Sequence, residues 1–278
     1  MDRWLNQIIC GDNVAVMRQM PDRCIDLTVT SPPYDNLRNY NGESNWNFEV
    51  FKEVAKELFR ITKPGGVVIW IVGDATIKGS ETGTSFKQAL FFKDIGFNLH
   101  DTMIYKRHSP HPPNIRYWQT FEYMFVLSKG KPKTFNLLTQ KKTRHAGFKK
   151  QTIRRKDGTI ETLEGNAKER IINAQQSAER IRDNVWEISS GYGRSSKDSI
   201  AYQHPAIFPE QLAKDHIISW SNEGDVVLDP MCGSGTTCKM AKLTGRNFIG
   251  IDISEEYCEI ARRRVEQAQA QQSLFAEA

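Results

Sequence analysis

Residues 225–252, DVVLDPMCGSGTTCKMAKLTGRNFIGID, constrain the fold more than any other stretch. A short apolar run (Val226, Val227, Leu228) leads into a glycine-rich turn, a helical segment and a second apolar run that ends on Asp252. Strand, turn, helix, strand predicts a parallel α/β layer whose turn sits at the carboxyl edge, where open sheets bind ligands. Gly233 and Gly235 let the backbone approach a ligand without a Cβ clash, and the helix that follows offers unpaired N–H groups. Asp252, 17 residues beyond Gly235, can accept hydrogen bonds from two ribose hydroxyls. The expected occupant is an adenosine-containing cofactor.

Which cofactor follows from what the turn lacks. The chain has no GxxxxGK[ST], and GSGTTC places Cys238 where a dinucleotide fingerprint needs its third glycine. Asp229, at the end of the first strand, puts a carboxylate beside the ligand, a poor match for pyrophosphate and a good one for a cationic amino-acid portion. That combination favours S-adenosyl-L-methionine. A lone Gly-x-Gly would mean only a tight turn; Asp229 and Asp252 are what raise it to a cofactor site.

The same periodicity organises the rest. QIICGD and CIDLTVT read as strands around a short helix, NVAVMRQMP, and NFEVFKEVAKELFRITKPGG reads as an amphipathic helix stopped by Pro-Gly-Gly before the strand VVIWIV. SFKQALFFKDIG is a further helix, NLHDTMIYKR and TFEYMFVLSK are two strands, and FPEQLAKDHIISWS and SEEYCEIARRRVEQAQAQQ are helices, the last trailing into a frayed SLFAEA. Phe48 to Phe59 form a core stripe. From about 130 to 200 the patterning fades, and only AKERIINAQQSAERIRDNVW looks helical.

Charge concentrates in that segment. Residues 129–200 carry 17 Lys/Arg against 8 Asp/Glu, whereas the remainder is mildly acidic, although the whole chain is only +5. A basic segment on an acidic body points to nucleic acid. The run QKKTRHAGFKKQTIRRKDG, with Lys149, Lys150, Arg154 and Arg155, can neutralise phosphates, and its arginines can read guanine edges; a solvated loop is the alternative. Lys106, Arg107 and Arg116 flank HSPHPPN and are weaker candidates for strand contacts. Five cysteines without a CxxC predict reduced thiols and no metal. No run approaches a membrane span and no secretory signal opens the chain, so a cytoplasmic protein is expected.

A second motif stands far from the first. TVTSPPY ends a buried strand with two prolines whose fixed φ angles hold the Ser31 and Pro32 carbonyls in place, with Tyr34 beside them. A Pro-Pro pair alone is usually a stiff turn. At the carboxyl edge of a strand, Ser31, Pro32, Pro33 and Tyr34 instead form a rigid acceptor edge next to an aromatic face. Such an edge suits the exocyclic amine of a flat base, whose lone pair is delocalised: acceptors on both hydrogens favour a more tetrahedral nitrogen and stabilise its developing positive charge. A base in a duplex must be flipped out to reach it.

TSPPY, followed by HPAIFPEQL, VLDPMCGSGTT and FIGID, resembles the amino-methylating DNA methyltransferases, and this order is similar to their β class. The resemblance runs from IICGD to ARRRV and thins over 130–200, where such enzymes carry a variable target-recognition region. It implies a circularly permuted, Rossmann-like S-adenosylmethionine-dependent methyltransferase fold of the α/β class, with residues 1–129 as the catalytic half, 130–200 as a basic insert and 201–278 as the cofactor half. Ser31, Pro32, Pro33 and Tyr34 match the catalytic [D/N/S]-P-P-[Y/F/W]. Asp229, Pro230, Met231, Gly233, Ser234, Gly235 and Thr236 match the cofactor loop, Met231 replacing a customary phenylalanine, and Asp252 matches the ribose acid. Asp12 falls near the adenine end, with a surface turn as its alternative role. His204, Pro205 and Phe208 lie in the segment over the methionine part, although His204 alone could be a structural cap.

Serine at the first motif position is associated in that family with N4-cytosine, and aspartate or asparagine with N6-adenine. The expected activity is therefore methyl transfer to N4 of a flipped cytosine in double-stranded DNA, with N6-adenine as the alternative. An RNA amino-methyltransferase or a non-catalytic DNA-binding module are more distant readings; the latter leaves both motifs without purpose. A separate restriction endonuclease and a homodimer are compatible partners, in a bacterial, archaeal or phage setting.

Overall fold

Apolar, β-branched runs in the first half of the chain form β1 (Gln7–Cys10), β2 (Ile25–Thr30) and β3 (Thr62–Val72), then β6 (Asn98–Lys106) and β7 (Phe121–Ser128), with a small hairpin of β4 (Thr76–Ile77) and β5 (Ser80–Glu81) between them. The computed structural model describes residues 1–34, 46–107, 116–141, 152–162 and 179–276. Three helices are interleaved: α1 (Asn13–Arg18), α2 (Phe48–Ile61) and α3 (Thr84–Asp94). Asn47 caps α2, its Oδ1 accepting from the N–H groups of Glu49 at 2.9 Å and Val50 at 3.1 Å.

The chain divides into two compact units, Met1–Asn136 with Asn184–Ala278, and Leu137–Asp183. The smaller holds β8 (Thr139–Lys141), β9 (Thr152–Arg154), β10 (Ile160–Thr162) and β11 (Glu179–Ile181). β8 pairs with β11 and β9 with β10, both antiparallel, the latter turning at Gly158. The larger unit continues with β12 (Val185–Glu187), a 3-10 turn (Ser199–Gln203), α4 (Glu210–Trp220), β13 (Val226–Asp229), α5 (Thr236–Leu243), β14 (Asn247–Asp252) and α6 (Glu255–Ala276).

Eight strands form one sheet in the order β1-β14-β13-β2-β3-β7-β6-β12. The first five are mutually parallel, β7 runs antiparallel to both neighbours, and β12 is parallel to β6. Late strands thus sit beside early ones: Leu228 is opposite Thr28, and Asp252 is opposite Cys10. This is the permuted, doubly wound arrangement expected from the two motifs. α1, α2 and α3 cover the face that carries Val68, Trp70 and Val72. Val67, Ile69 and Ile71 point the other way and are equally buried, so both faces of the sheet are covered.

The middle of the stripe on α2 is core, with Phe51, Val54, Ala55 and Leu58 buried, whereas Phe48 at its start is exposed and Phe59 is partly buried. Phe51 lies 5.7 Å from the Trp70 ring and 5.2 Å from Phe92, and the Trp70 indole N–H donates to Gln88 Oε1 at 2.8 Å within the apolar layer. α2 runs straight into β3 at Thr62, so Pro64, Gly65 and Gly66 lie inside the strand rather than stopping the helix; a register shift between Ile25 and Leu27 of β2 accommodates them.

The helix expected over 167–186 is not what its described part forms. Glu179–Ile181 and Val185–Glu187 are strands, the second held on the sheet edge by Ile104 N–H donating to the Asn184 carbonyl at 2.8 Å and by burial of Trp186. At the other end α6 continues to Ala276 instead of fraying at Ser273.

Candidate active site

β13 and β2 are neighbours, so the glycine turn and Ser31-Pro32-Pro33-Tyr34 leave the sheet side by side. Two bonds tie the strand ends: Thr30 Oγ1 donates to Asp229 Oδ1 at 2.8 Å, and Thr237 Oγ1 donates to the Val29 carbonyl at 3.0 Å. Between them opens a cleft of about 410 Å³, lined by all four residues of the Pro-Pro motif, by Gly233, Ser234 and Thr236, and by Asp252.

The turn is built for close approach. Gly233 has φ 47°, and a Cβ there would lie 2.7 Å from His204 Nε2; Gly235 has φ 76°, and its Cβ would lie 2.6 Å from Ala261 Cβ on α6. One glycine lets the strap containing His204 close onto the turn, and the other lets the turn settle on α6. Asp252 Oδ2 accepts from Gly233 N–H at 2.8 Å and Oδ1 from Ser254 N–H at 3.0 Å, which fixes the carboxylate in the lining of the cleft.

Asp12 is both a cleft residue and a helix cap. It lines the cleft, and its Oδ1 caps α1 by accepting from Ala15 N–H at 2.8 Å. Phe208, Pro230 and Met231 line the cleft as well. His204 is nearly buried, accepts from Ala206 N–H through Nδ1 at 3.1 Å and meets the Tyr257 ring edge-on at 4.4 Å, so it shapes the wall while capping its own turn.

Three of the expected cofactor residues do not line the cleft. Pro205 is exposed, Gly235 packs on Ala261 of α6, and Asp229 corrects the reading of a carboxylate presented to the ligand: it is 1% exposed and turned inward. Its Oδ1 serves Thr30 and the Met231 N–H at 3.2 Å, while Oδ2 has no hydrogen-bond partner among the described residues. Burial pushes its pKa up to about 6, against the pull of the Thr30 and Met231 donors, and Asp252 raises it further.

Trp46, Val50, Arg107, Glu122 and Tyr257 also line the cleft, and of these only Arg107 is marked in the sequence. Tyr34 Oη donates to Glu122 Oε2 at 3.1 Å, and the Ser31 hydroxyl lies 2.8 Å from Tyr34 Oη. With the phenol proton directed at the carboxylate, the Ser31 proton goes to Tyr34, leaving the serine oxygen as an acceptor. Arg107 Nε lies 3.1 Å from Glu122 Oε1. The other two cations near this hairpin are engaged elsewhere, Lys106 with Glu187 at 3.1 Å and Arg116 with Glu81 at 3.6 Å and the Gly79 carbonyl.

In the smaller unit Arg154 is exposed and Arg155 is paired with Glu161. Lys149 and Lys150 lie outside the described residues.

Comparison with known proteins places this geometry. Residues 25–263 match the N6/N4 DNA methylase family. The orphan methyltransferase M.BamHII of Bacillus amyloliquefaciens is 56% identical over 248 residues, 88% of this chain and 89% of that protein. Among solved structures, PvuII DNA methyltransferase (cytosine-N4-specific) superposes with a TM-score of 0.68 at 19% identity, covering 95% of this chain and 89% of the other. The complex of M1.HpyAVI with SAM gives 0.59 at 22% identity, covering 93% and 98%. The chain belongs to the N6/N4 amino-methylating DNA methyltransferases. Its fold is the Rossmann-like methyltransferase fold in permuted order. Among the described residues no helix is long and apolar enough to cross a membrane.

Proposed function

We propose that this DNA methyltransferase moves the methyl group of S-adenosylmethionine to N4 of a cytosine flipped out of the duplex. The observation that carries the reading is the Ser31-Pro32 acceptor edge standing across one cleft from the glycine turn and Asp252. The cofactor supplies a methyl group on a cationic sulfur. The glycine turn and Asp252 hold its nucleoside, and His204, Ala206, Ile207 and Phe208 of the neighbouring strap line the same cleft. Ser31 and Pro32 accept from the two amine hydrogens, orient the nitrogen lone pair across the cleft and stabilise the charge that grows on nitrogen as it bonds to the methyl carbon and the carbon–sulfur bond breaks; S-adenosylhomocysteine leaves as the neutral thioether, and the nitrogen gives up one proton to solvent. Tyr34, held by Glu122, offers the face on which the base stacks.

The choice of cytosine rests on Ser31, a neutral residue at a position that is acidic or an amide in the adenine-directed enzymes this chain resembles. The basic run of the smaller unit is the proposed phosphate-binding segment. Mass spectrometry of nucleosides from DNA treated with the protein tests the base: N4-methylcytosine is expected, and N6-methyladenine as the sole product would reassign the substrate.

A further inference from the structure

Behind the cleft, four charged side chains meet in one buried group. Asp198 immediately precedes the 3-10 turn and Glu210 opens α4, so they mark the two ends of a strap, residues 199–209, whose middle carries His204, Ala206, Ile207 and Phe208 into the cleft. Both ends converge on the same cations. Lys239 Nζ lies 2.7 Å from Asp198 Oδ2 and 2.8 Å from Glu210 Oε1. Arg264 Nε lies 2.9 Å from Asp198 Oδ2, and Nη2 lies 2.6 Å from Glu210 Oε1.

Arg264 also reaches the glycine turn. Its Nη1 donates to the Ser234 carbonyl at 2.6 Å, to Ser234 Oγ at 3.1 Å and to Thr236 Oγ1 at 3.2 Å. One guanidinium on α6 therefore holds the glycine turn and both ends of the strap that faces it. Arg264 is fully buried and Lys239 is 8% exposed, so each charge has given up water for these partners. A buried ion group of this kind adds little net stability over apolar packing of equal volume, whereas it fixes positions closely.

We propose that the Asp198–Lys239–Glu210–Arg264 group is a clamp that sets the gap between strap and glycine turn, making Arg264 and Glu210 positioning residues for S-adenosylmethionine. The proposal rests on the reading of the cleft as the cofactor site. The mechanism is geometric: with the carboxylates neutralised, the strap ends lose the charges that draw them to the turn, the cleft widens, and the wall formed by His204 and Phe208 no longer meets the ligand. DNA contacts are made by other residues and stay as they are.

The test is calorimetric titration of S-adenosylmethionine into the full chain and its variants Glu210→Gln and Arg264→Lys, with hydrogen exchange of the peptide spanning 199–209. The wild type is expected to bind and to protect that peptide on binding. Each variant is expected to bind about tenfold or more weakly, to exchange faster in 199–209 without the ligand, and to keep its affinity for DNA and its KM for DNA while its KM for the cofactor rises. Lys239→Met, which removes one cation and keeps the Arg264 contacts, gives a milder variant should the others unfold, with the same pattern at smaller amplitude. Cofactor affinity within twofold of wild type in cooperatively melting Glu210→Gln or Arg264→Lys would overturn the clamp, as would an affinity equal to wild type in Lys239→Met should both of those unfold. Faster exchange spread evenly over the whole chain would overturn it too, by showing that the group serves general stability. A wild type that does not bind S-adenosylmethionine would overturn the cofactor reading itself.

Discussion

Tyr34 donates its hydroxyl to Glu122 at 3.1 Å, so the aromatic ring of the Pro-Pro motif is held by a carboxylate from a strand that the motif does not touch in sequence. A hydrogen bond to a charged acceptor is stronger than one to a neutral acceptor, and here it also decides which way the Ser31 proton points. Glu122→Gln keeps the shape and loses the charge. Single-turnover methylation by this variant is expected to slow by roughly tenfold, and by Tyr34→Ala by roughly a hundredfold or more, with cofactor affinity unchanged in both. Rapid-quench kinetics beside cofactor titration checks the split; an equal loss of cofactor affinity would place Glu122 in the fold rather than in the site.

Gly233→Ala introduces a methyl group 2.7 Å from His204 Nε2, at a φ of 47°. The clash pushes the strap outward, and the left-handed conformation adds about 1–2 kcal/mol of strain. Cofactor affinity is expected to fall at least tenfold. Pairing Gly233→Ala with His204→Ala relieves the clash and leaves the strain, so the double variant should recover part of the loss. A double variant as weak as the sum of the singles would mean that ring and turn do not oppose each other.

Asp229 makes stability depend on pH in a direction opposite to the common carboxylate. Its folded pKa, about 6, lies above the ordinary 3.8, so the folded state holds the proton more tightly than the unfolded state. That contribution is complete below about pH 4 and is lost as pH rises through 6. Wild type should lose roughly 3 kcal/mol relative to Asp229→Asn across that window, since each tenfold difference in proton affinity between the two states corresponds to about 1.4 kcal/mol. Denaturant melts of both proteins at pH 4 and pH 7 measure it; parallel curves would mean that Asp229 titrates normally.

Replacing Lys149, Lys150, Arg154 and Arg155 by glutamine tests the basic run. If all four neutralise phosphates, the slope of log affinity against log salt flattens by roughly 3 to 4. Arg155 already has Glu161 as a partner and is expected to contribute least of the four. Fluorescence anisotropy over a salt series gives the slope, and an unchanged slope would assign the run to solvent.

What could be read beforehand was local. Val226 to Asp252 announces itself through strand period, glycines and a terminal carboxylate within one short stretch, and TVTSPPY does so through prolines that fix their own geometry. What could not be read depends on partners far away. Glu122 sits in an apolar strand run with no neighbour in sequence to mark it; Tyr34 and Arg107 give it meaning only once β7 lies beside β3 and β6. Asp229 ends its strand as expected, yet it turns inward because Thr30 waits there with a donor. Residues 179–187 have helical charge spacing and become strands because β8 and β6 offer open edges to pair with. Pro64 to Gly66 look like a helix stop, but the chain had already entered β3 at Thr62.

The strand order has a consequence for how the protein comes off the ribosome. β1 is made first, and its neighbour in the sheet, β14, is made last; β2, with the catalytic edge at its tip, lacks one flank until β13 follows some two hundred residues later. The acceptor edge and the cofactor turn cannot face each other before nearly the whole chain has emerged. A truncated product of translation therefore carries Ser31-Pro32-Pro33-Tyr34 without the glycine turn beside it, and the cleft is complete only when the sheet is.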